Sequence, residues 1–362
     1  MTRFAFVLHA LDVSDIARKY PIAKHLPDWV VEPLLRCIPA RVISEITGVR
    51  SLTGAETSGW FVGCTLTSRQ LLTDPPERST ARIIQCCKLA AELGADIVGL
   101  GALTAVVGDA GITIADEVDI GVTTGNSYTV ATAVEGLLQA AEMIGHDPAL
   151  STVAILGASG SIGSVCAKLL AGQVARLILV GRRQEALDER AAQIAGATAV
   201  ETTTSIPEAL AKSPLVIAVT SAVETVVQPH DLLPGAVVCD VARPRDVSKL
   251  VAEKRADVLV IEGGVVAVPG DVQFNFDFGF PPKTAYACMA ETMILALEGH
   301  TTDYSLGRDL GIDRVLEIRR LGDKHGFKLA GFRSFERAVD QATIDRVRRL
   351  AGEAIEGYQQ GD

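Results

Sequence analysis

Cys288 lies in the segment PPKTAYACMAETMILALEGH, where two prolines lead into a run with helical spacing. A cysteine thiolate can attack an acyl group and later leave it, because sulfur is both a good nucleophile and a good leaving group. A helical cysteine is also often a small apolar residue that fills a core. If this residue lies near the start of its helix, the positive end of the helix dipole would favour the thiolate. Cys288 is therefore a candidate catalytic nucleophile.

Glu291 follows Cys288 by three positions, and this spacing puts both side chains on one face of the predicted helix. A carboxylate close to the sulfur would disfavour the thiolate. A carboxyl group in the same place could instead orient a neighbour or donate a proton. These alternatives stay open, and Glu291 joins the candidate catalytic residues.

A glycine-rich turn in STVAILGASGSIGSVCAKLLAG separates an apolar run from a helical one. Its glycines have the spacing G-x-x-G-x-x-G. Glycine allows a tight turn and a close approach of the backbone to a pyrophosphate, whose charge then meets the N–H groups at the helix start. The residues predicted to bind the phosphates of a dinucleotide are Gly157, Ala158, Ser159, Gly160, Ser161, Ile162 and Gly163.

The next predicted strand ends in VGRR, where an NAD site would place an acidic residue for the ribose hydroxyls. Arg182 and Arg183 can instead bind a 2′-phosphate through their forked donors. The sequence therefore favours NADPH as the cofactor. Further candidate cofactor contacts follow later strands, namely Thr220, Ser221, Gly263 and Gly264.

Short apolar runs that alternate with helical segments must position these residues. STVAILG, VARLILVG, SPLVIAVT, PGAVVCDV and ADVLVIEGG have the length and composition of buried parallel strands. Doubly wound parallel sheets leave a crevice at the carboxyl ends of their strands. The predicted fold class is therefore α/β, with a Rossmann-type doubly wound parallel sheet, a second mixed α/β domain and C-terminal helices.

The same pattern predicts the domain organisation. Residues 1–127 mix strands and helices less regularly and are predicted to form a substrate domain. Residues 128–148 are predicted to be a bridging helix, and residues 149–282 the dinucleotide domain. Residues 283–362 are predicted to be helices that return to the N-terminal domain.

Composition and charge argue against several classes of protein. With 48% hydrophobic residues among 362, the chain can fill two cores, and a buried contact in a homo-oligomer would also suit this content. The net charge of −10 disfavours nucleic acid as a partner. We find no apolar run that predicts a membrane span or secretory signal, and we expect a cytoplasmic protein. Seven irregularly spaced cysteines indicate reduced thiols and no metal site.

A thiol beside a nicotinamide cofactor predicts a particular reaction. The thiolate takes an acyl group from a thioester, and hydride then reduces the bound thioester to an aldehyde. The developing oxyanion would accept hydrogen bonds from backbone N–H groups at the start of the Cys288 helix or from the Ser221 hydroxyl. The sequence does not choose between these two donors.

A family resemblance is carried, in chain order, by VLHALDVSDIARKYP, VISEITGVRSLTG, ADIVGLGALTAVV, VTTGNSYTVA, VAILGASGSIGSVCAKLL, IEGGVV, YACMAETMILALEGHTTDYSLGR and DKHGF. In these segments the chain resembles the long-chain fatty acyl-carrier-protein reductases known from cyanobacteria, over nearly its whole length. The resemblance implies NADPH-dependent reduction of acyl thioesters of acyl-carrier protein or coenzyme A to fatty aldehydes.

The resemblance also implies roles for individual residues. Cys288, in the A-C-x-A-E element, matches the acylated nucleophile of the family. Thr124, Gly125 and Asn126 match a turn that resembles part of the crevice floor, and they are candidate substrate contacts. His325, in the H-G-F element, is either an acid or base or a structural histidine near a helix end.

Three features depart from the family pattern. Tyr128 stands where the cyanobacterial proteins carry histidine, and AVPGDVQFNFDFGFPP follows GGVV in place of a short segment with histidine and cysteine. The C-terminal segment ending EGYQQGD has no counterpart in the family and is expected to serve oligomer contact or partner docking. These departures most affect what the resemblance implies about the length of the acyl chain and the identity of the acyl carrier.

Two alternatives belong to other classes. A shikimate-dehydrogenase-like oxidoreductase of a small polar substrate would need a Lys and Asp pair in the crevice, and a non-catalytic NADPH-binding protein would use Cys288 for packing only. The candidates for the Lys and Asp pair, which do not fall at strand ends, are Lys88, Lys168, Asp96 and Asp116. An acidic carrier protein would need a local basic patch, with the candidates Arg319, Arg320, Lys324 and Lys328.

Overall fold

The computed structural model describes residues 1–19, 25–194, 196–222 and 224–359. Its strands are β1 (Phe4–Ala10), β2 (Arg41–Arg50), β3 (Glu56–Thr67), β4 (Ile97–Leu100), β5 (Gly121–Thr123), β6 (Thr152–Leu156), β7 (Arg176–Val180), β8 (Ala199–Thr203), β9 (Leu215–Ala218), β10 (Val237–Asp240), β11 (Leu259–Glu262), β12 (Val265–Ala267), β13 (Gly270–Gln273), β14 (Thr284–Tyr286), β15 (Lys328–Leu329), β16 (Arg333–Ser334) and β17 (Arg337–Ala338).

The helices are α1 (Val13–Lys19), α2 (Asp28–Cys37), α3 (Ser68–Thr73), α4 (Pro76–Glu92), α5 (Ile112–Asp116), α6 (Asn126–Ile144), α7 (Ser161–Leu170), α8 (Gln184–Ile194), α9 (Ile206–Leu210), α10 (Lys249–Lys254), α11 (Ala287–Leu297), α12 (Ile312–His325) and α13 (Gln341–Gln359). Tyr20 and Pro21 of the first family segment and residues 360–362 of the C-terminal segment lie outside the described residues. Among the helices of the described residues, none combines the length and the apolar character needed to cross a membrane.

The chain folds into two compact units. The first contains residues 1–128, 266–310 and 316–328, and the second contains residues 129–265, 311–315 and 329–362. The predicted boundary at residue 282 differs from this division, because β13 pairs antiparallel with β2 and so belongs to the sheet of the first unit. The sequence also predicted that residues 283–362 return to the N-terminal domain. Residues 329–362 belong instead to the second unit.

A mixed sheet in the order β13-β2-β3-β1-β4-β5 forms the centre of the first unit. Strands β3, β1, β4 and β5 run parallel, so their carboxyl ends lie at one edge of the sheet. Helix α4 covers one face and buries Ile83, Cys86, Cys87 and Ala90, which recur at helical spacing. Helix α11 packs against β1 and β4.

A parallel sheet in the order β11-β10-β9-β6-β7-β8 forms the centre of the second unit. Its central strands are mostly apolar, and Val153, Leu177 and Val216 are all fully buried, as expected for strands that helices cover on both faces. The chain moves outward from β6 to β8 and then returns to β9, so the strand order reverses between β6 and β9. This reversal places a binding crevice at the carboxyl ends of these strands. The predicted α/β fold class with a Rossmann-type sheet is confirmed.

Candidate functional site

The predicted phosphate loop has the geometry that a pyrophosphate requires. Gly157 has a positive φ of 87°, and a Cβ added there would lie 2.7 Å from the carbonyl oxygen of Val219. A Cβ on Gly163 would lie 2.4 Å from the carbonyl oxygen of Gly157. Helix α7 starts at Ser161, after a glycine N-cap with no side chain bonded to the first-turn amides. Side chains would fill this backbone cradle, so the residues present fit a dinucleotide phosphate group.

The loop is tied to the end of β7, where the two predicted arginines follow. The N–H of Ala158 donates to the carbonyl of Val180 at 3.0 Å. A Cβ on Gly181 would lie 3.2 Å from Ser159 Oγ, so the loop and the end of β7 meet. Arg182 and Arg183 are both exposed, and neither guanidinium has a hydrogen bond or ion pair with any residue that the structure describes. Both remain available for an anion.

Thr220, at the end of β9, is held by a carboxylate that sequence reasoning missed. Its N–H and its hydroxyl donate to the two oxygens of Asp246, at 2.8 and 2.5 Å. Burial raises the pKa of Asp246 to about 6, and the Thr220 hydrogen bonds oppose this shift. The Thr220 hydroxyl thus already donates its hydrogen bond to Asp246. The neighbouring residue, Ser221, is exposed. No local pattern marks Asp246, because it lies 26 positions from Thr220 in the sequence.

Gly263 and Gly264 lie apart from the other predicted cofactor residues within the second unit. Both follow β11, the edge strand, which β10 and β9 separate from β6. A Cβ on Gly263 would lie 2.9 Å from Cys239 Sγ, so this glycine permits close backbone packing. The structure brings together the phosphate loop, the end of β7 and the end of β9. Gly263 and Gly264 do not lie at the strand reversal between β6 and β9.

Cys288 is the second residue of α11, and it is partly exposed. Tyr286 precedes the helix as its N-cap, and its side chain makes no capping hydrogen bond. Cys37 is the other accessible cysteine among the described residues. Burial raises the pKa of Cys87 and of Cys166 to about 12, so these two thiols stay protonated at neutral pH. The buried cysteines are Cys64, Cys86, Cys87, Cys166 and Cys239.

The T-T-G-N turn after β5 packs directly against the cysteine. A Cβ on Gly125, whose φ is +73°, would lie 2.3 Å from both Cα and Cβ of Cys288. Thr124 is fully buried, and its hydroxyl donates to the carbonyl of Ser305. Asn126 is buried at the first position of α6. These three residues form a floor beneath Cys288, and their contact with a substrate remains a prediction.

Glu291 fastens this turn to the cysteine helix. Its side chain is fully buried, and its two oxygens accept hydrogen bonds from the Thr123 hydroxyl at 2.5 Å and from the N–H of Tyr128 at 2.7 Å. Burial raises the pKa of Glu291, and the hydrogen bond from Thr123 partly offsets this effect. A carboxyl group in these contacts orients its neighbours. The role of Thr123 was not predicted. The one sequence signal for it is its place as the first residue of the T-T-G-N element.

Tyr128 and His325 are both buried within the first unit. The Tyr128 ring lies against Gly322 of α12, where a Cβ would be 2.7 Å from the hydroxyl oxygen. His325 is 1% exposed, and its Nδ1 and Nε2 lie 2.7 and 2.5 Å from Ser51 Oγ and Glu298 Oε1. These are the contacts of a structural histidine. Of the predicted basic patch, Lys324 also pairs with Glu298, and the exposed members are Arg319, Arg320, Lys324 and Lys328.

A row of aromatic rings runs from the core of the first unit to the start of α11. Phe61, which is buried in β3, lies 5.4 Å from Phe278 between ring centroids. Phe278 lies 5.4 Å from Phe280, and Phe280 lies 4.4 Å from Tyr286. Phe274 stacks on Phe61 and touches Phe278. The alternation F-x-F-x-F-x-F in the sequence could have predicted this shared face.

The match to one family model supports the assignment of the dinucleotide unit. Residues 139–262 match the family model described as Shikimate / quinate 5-dehydrogenase. The solved structure of L-tryptophan dehydrogenase from Nostoc punctiforme is similar in fold, with 12% identity, a TM-score of 0.44 and coverage of 98% of this chain and 89% of that one.

Two curated proteins are similar in sequence. Aminotransferase PigE of a Serratia species is 34% identical over 310 residues, which cover 83% of this chain and 36% of PigE. The chain thus spans about a third of the length of that relative. The long-chain acyl-[acyl-carrier-protein] reductase of Synechococcus elongatus is 28% identical over 305 residues, which cover 80% of this chain and 87% of the reductase. The match to the dehydrogenase model, the similarity to the Synechococcus reductase and the doubly wound sheet support a Rossmann-type unit that binds a nicotinamide cofactor.

Proposed function

We propose that this protein is an NADPH-dependent reductase that converts long-chain acyl thioesters of acyl-carrier protein or coenzyme A into fatty aldehydes. Cys288 carries the acyl group between the two chemical steps. One observation carries the proposal: a partly exposed cysteine lies in the first turn of a helix, with a glycine turn packed against it, in a chain that also contains a dinucleotide cradle. The Synechococcus relative, whose name states this activity, supports the same substrate class.

Cys288 suits the acyl-transfer step. Its thiolate attacks the thioester carbonyl, a bond from sulfur to the acyl carbon forms, and the bond to the carrier sulfur breaks. The carrier leaves as a thiol after it takes up a proton. The N-cap residue of α11, Tyr286, makes no side-chain capping bond, and we assign the first-turn amides as candidate donors to the oxyanion that develops on the carbonyl. The exposed Ser221 hydroxyl remains the second candidate donor.

NADPH, when bound, supplies the hydride that reduces the acyl carbon, and the Cys288 thiolate is released as the aldehyde forms. The glycine turn and the first-turn amides of α7 would hold its pyrophosphate. Arg182 and Arg183 would hold the 2′-phosphate, since both side chains are exposed at the end of β7. The Asp246 carboxylate would fix the Thr220 backbone beneath the cofactor crevice.

The aromatic row offers an apolar surface for the acyl chain. Phe278, Phe280 and Tyr286 are partly exposed, and Tyr286 precedes Cys288 by two residues. Burial of a methylene group contributes about 0.8 kcal/mol, so such a surface gains binding energy with each added carbon of the chain. We assign these rings to the wall that receives the acyl group.

The shikimate-dehydrogenase-like alternative has less support. The matched family region begins at residue 139, so it does not include the first unit. Lys88 and Asp116 are exposed on helices, and Asp96 accepts a hydrogen bond from the N–H of Arg3. Among the described residues, neither Lys88 nor Lys168 forms a salt bridge with Asp96 or Asp116, and the Lys283–Asp271 pair, at 3.0 Å, is formed by exposed side chains.

Substitution of the cysteine tests the proposal. Cys288→Ala is expected to abolish aldehyde formation from acyl thioesters while the dissociation constant of NADPH stays within about twofold. Cys37→Ser removes the other accessible thiol of the described residues but keeps a side chain of similar size, and it is expected to retain aldehyde formation. Aldehyde production by the Cys288→Ala protein at the original rate would refute the role of this thiol.

A further inference from the structure

A basic cleft lies between α2 and α4 of the first unit. It has a volume of about 400 Å³ and is lined by Pro33, Arg36, Cys37, Leu66, Arg78, Ala81, Arg82 and Gln85. Residues 78, 81, 82 and 85 recur at helical spacing, so a single face of α4 forms one wall. Three arginines line a small cleft in a chain whose net charge is −10.

Two of these arginines are held rigidly. Arg82 donates to the carbonyl oxygens of Ile38 and Arg36 and to the hydroxyl of Thr65. Arg36 forms a two-point pair with Asp74, at 2.9 and 2.6 Å, and this pair lowers the pKa of the Asp74 carboxyl. Neutral acceptors hold Arg82, so its positive charge is not cancelled there. The three arginines that line the cleft carry three positive charges, and the carboxylate bonded to Arg36 offsets one of them.

The third arginine is available. Arg78 is exposed in the first turn of α4, and within the described part of the chain its side chain has no hydrogen bond or salt bridge. Its charge also helps to lower the pKa of the Asp74 carboxyl, and it lines the cleft with two other arginines that are already fixed. The apolar lining is provided by Pro33, Leu66 and Ala81. A ligand that suits these walls has an anionic end and a short, partly apolar body.

We propose that this cleft binds the phosphate of a 4′-phosphopantetheine group, the arm that carries the thioester in both acyl-carrier proteins and coenzyme A. The phosphate would accept hydrogen bonds from Arg78 and Arg36, and the dimethyl part of the arm would pack on Leu66 and Pro33. This inference rests on the proposed function for its choice of ligand. The site itself differs from the C-terminal basic patch predicted from the sequence.

The test measures binding and needs no turnover. In a Cys288→Ala background, calorimetry compares 4′-phosphopantetheine with pantetheine, which lacks the phosphate, in the presence of saturating NADP⁺. We expect Arg78→Ala to weaken binding of 4′-phosphopantetheine about five- to tenfold and binding of pantetheine by less than about twofold. Arg78→Lys, which keeps the charge but not the forked donors, should retain only part of the affinity. Lys88→Ala removes an exposed cation of the same helix outside the cleft and serves as the matched control.

Two further titrations distinguish the carrier protein from coenzyme A as the source of the phosphate. If Arg78→Ala loses affinity for holo-carrier protein, the cleft binds the phosphopantetheine of the carrier. If it loses affinity for coenzyme A alone, the cleft binds coenzyme A, and either result supports the anion site. Equal losses for 4′-phosphopantetheine and pantetheine, equal losses for Arg78→Ala and Lys88→Ala, or no loss would overturn it. Because these measurements involve no catalysis, they stand even if Cys288 is not acylated.

Discussion

Gly125 lies directly against the backbone of Cys288, and no larger residue fits between them. A Cβ added at Gly125 would be 2.3 Å from both Cα and Cβ of the cysteine. The backbone there has a positive φ, which also favours glycine. The position of Cys288 thus depends on a residue 163 positions away in the sequence.

Replacement of this glycine should cost stability and activity together. We expect Gly125→Ala to destabilise the protein by about 2–4 kcal/mol in urea unfolding, because steric overlap adds to backbone strain. Gly94→Ala is the control, since Gly94 has a similar φ of +86° and no atom within 4 Å of an added Cβ. It should lose only about 1 kcal/mol and keep its activity. Equal losses in the two variants would show that the contact with Cys288 is unimportant.

The two arginines after β7 should decide the cofactor. Arg182→Ala combined with Arg183→Ala is expected to weaken NADPH binding about tenfold or more and NADH binding by less than about twofold, because only NADPH carries the 2′-phosphate. Fluorescence titration measures both dissociation constants. Arg190→Ala, on α8 beyond the strand end, is the matched control. Equal weakening for both cofactors would remove the 2′-phosphate assignment.

The aromatic row should set the preference for acyl chain length. We expect Phe280→Ala to lower kcat/KM for long acyl thioesters by about 5- to 30-fold, which corresponds to about 1–2 kcal/mol of lost apolar contact, and to leave short ones nearly unchanged. Phe276→Ala is the control. Among the ring pairs of the described residues, Phe276 contacts only Phe61. A uniform loss across all chain lengths would mean that the rings only hold the loop in place.

The buried carboxyl of Asp246 should make stability depend on pH. Its pKa rises from 3.8 to about 6 in the folded protein, so the folded state binds the proton more tightly than the unfolded state. The group therefore stabilises the fold below about pH 4, and this contribution of at most about 3 kcal/mol is lost as the pH rises through about 6. Urea unfolding between pH 4 and pH 7.5 should show this trend in the native protein relative to Asp246→Asn. Parallel curves for the two proteins would contradict the shift.

The sequence predicted the second unit better than the first. The runs TVAIL, RLILV and LVIA are apolar except for the first residue of the first two, because helices cover both faces of their sheet. This pattern is local, so it can be recognised in the sequence. The pairing of β13 with β2 joins segments more than 200 residues apart, and no local signal marks it. The same reason explains why the bonds of Glu291 to Thr123 and Tyr128 were not foreseen, although Glu291 itself was singled out.

Acylation of Cys288 is the central claim, and intact-mass and peptide mass spectrometry test it most directly. The protein is incubated with a long-chain acyl thioester in the absence of NADPH. The account predicts one added acyl group, located on the peptide that contains Cys288, retained in Cys37→Ser and absent from Cys288→Ala. Failure to acquire the acyl group, or its attachment to Cys37 instead, would contradict the account.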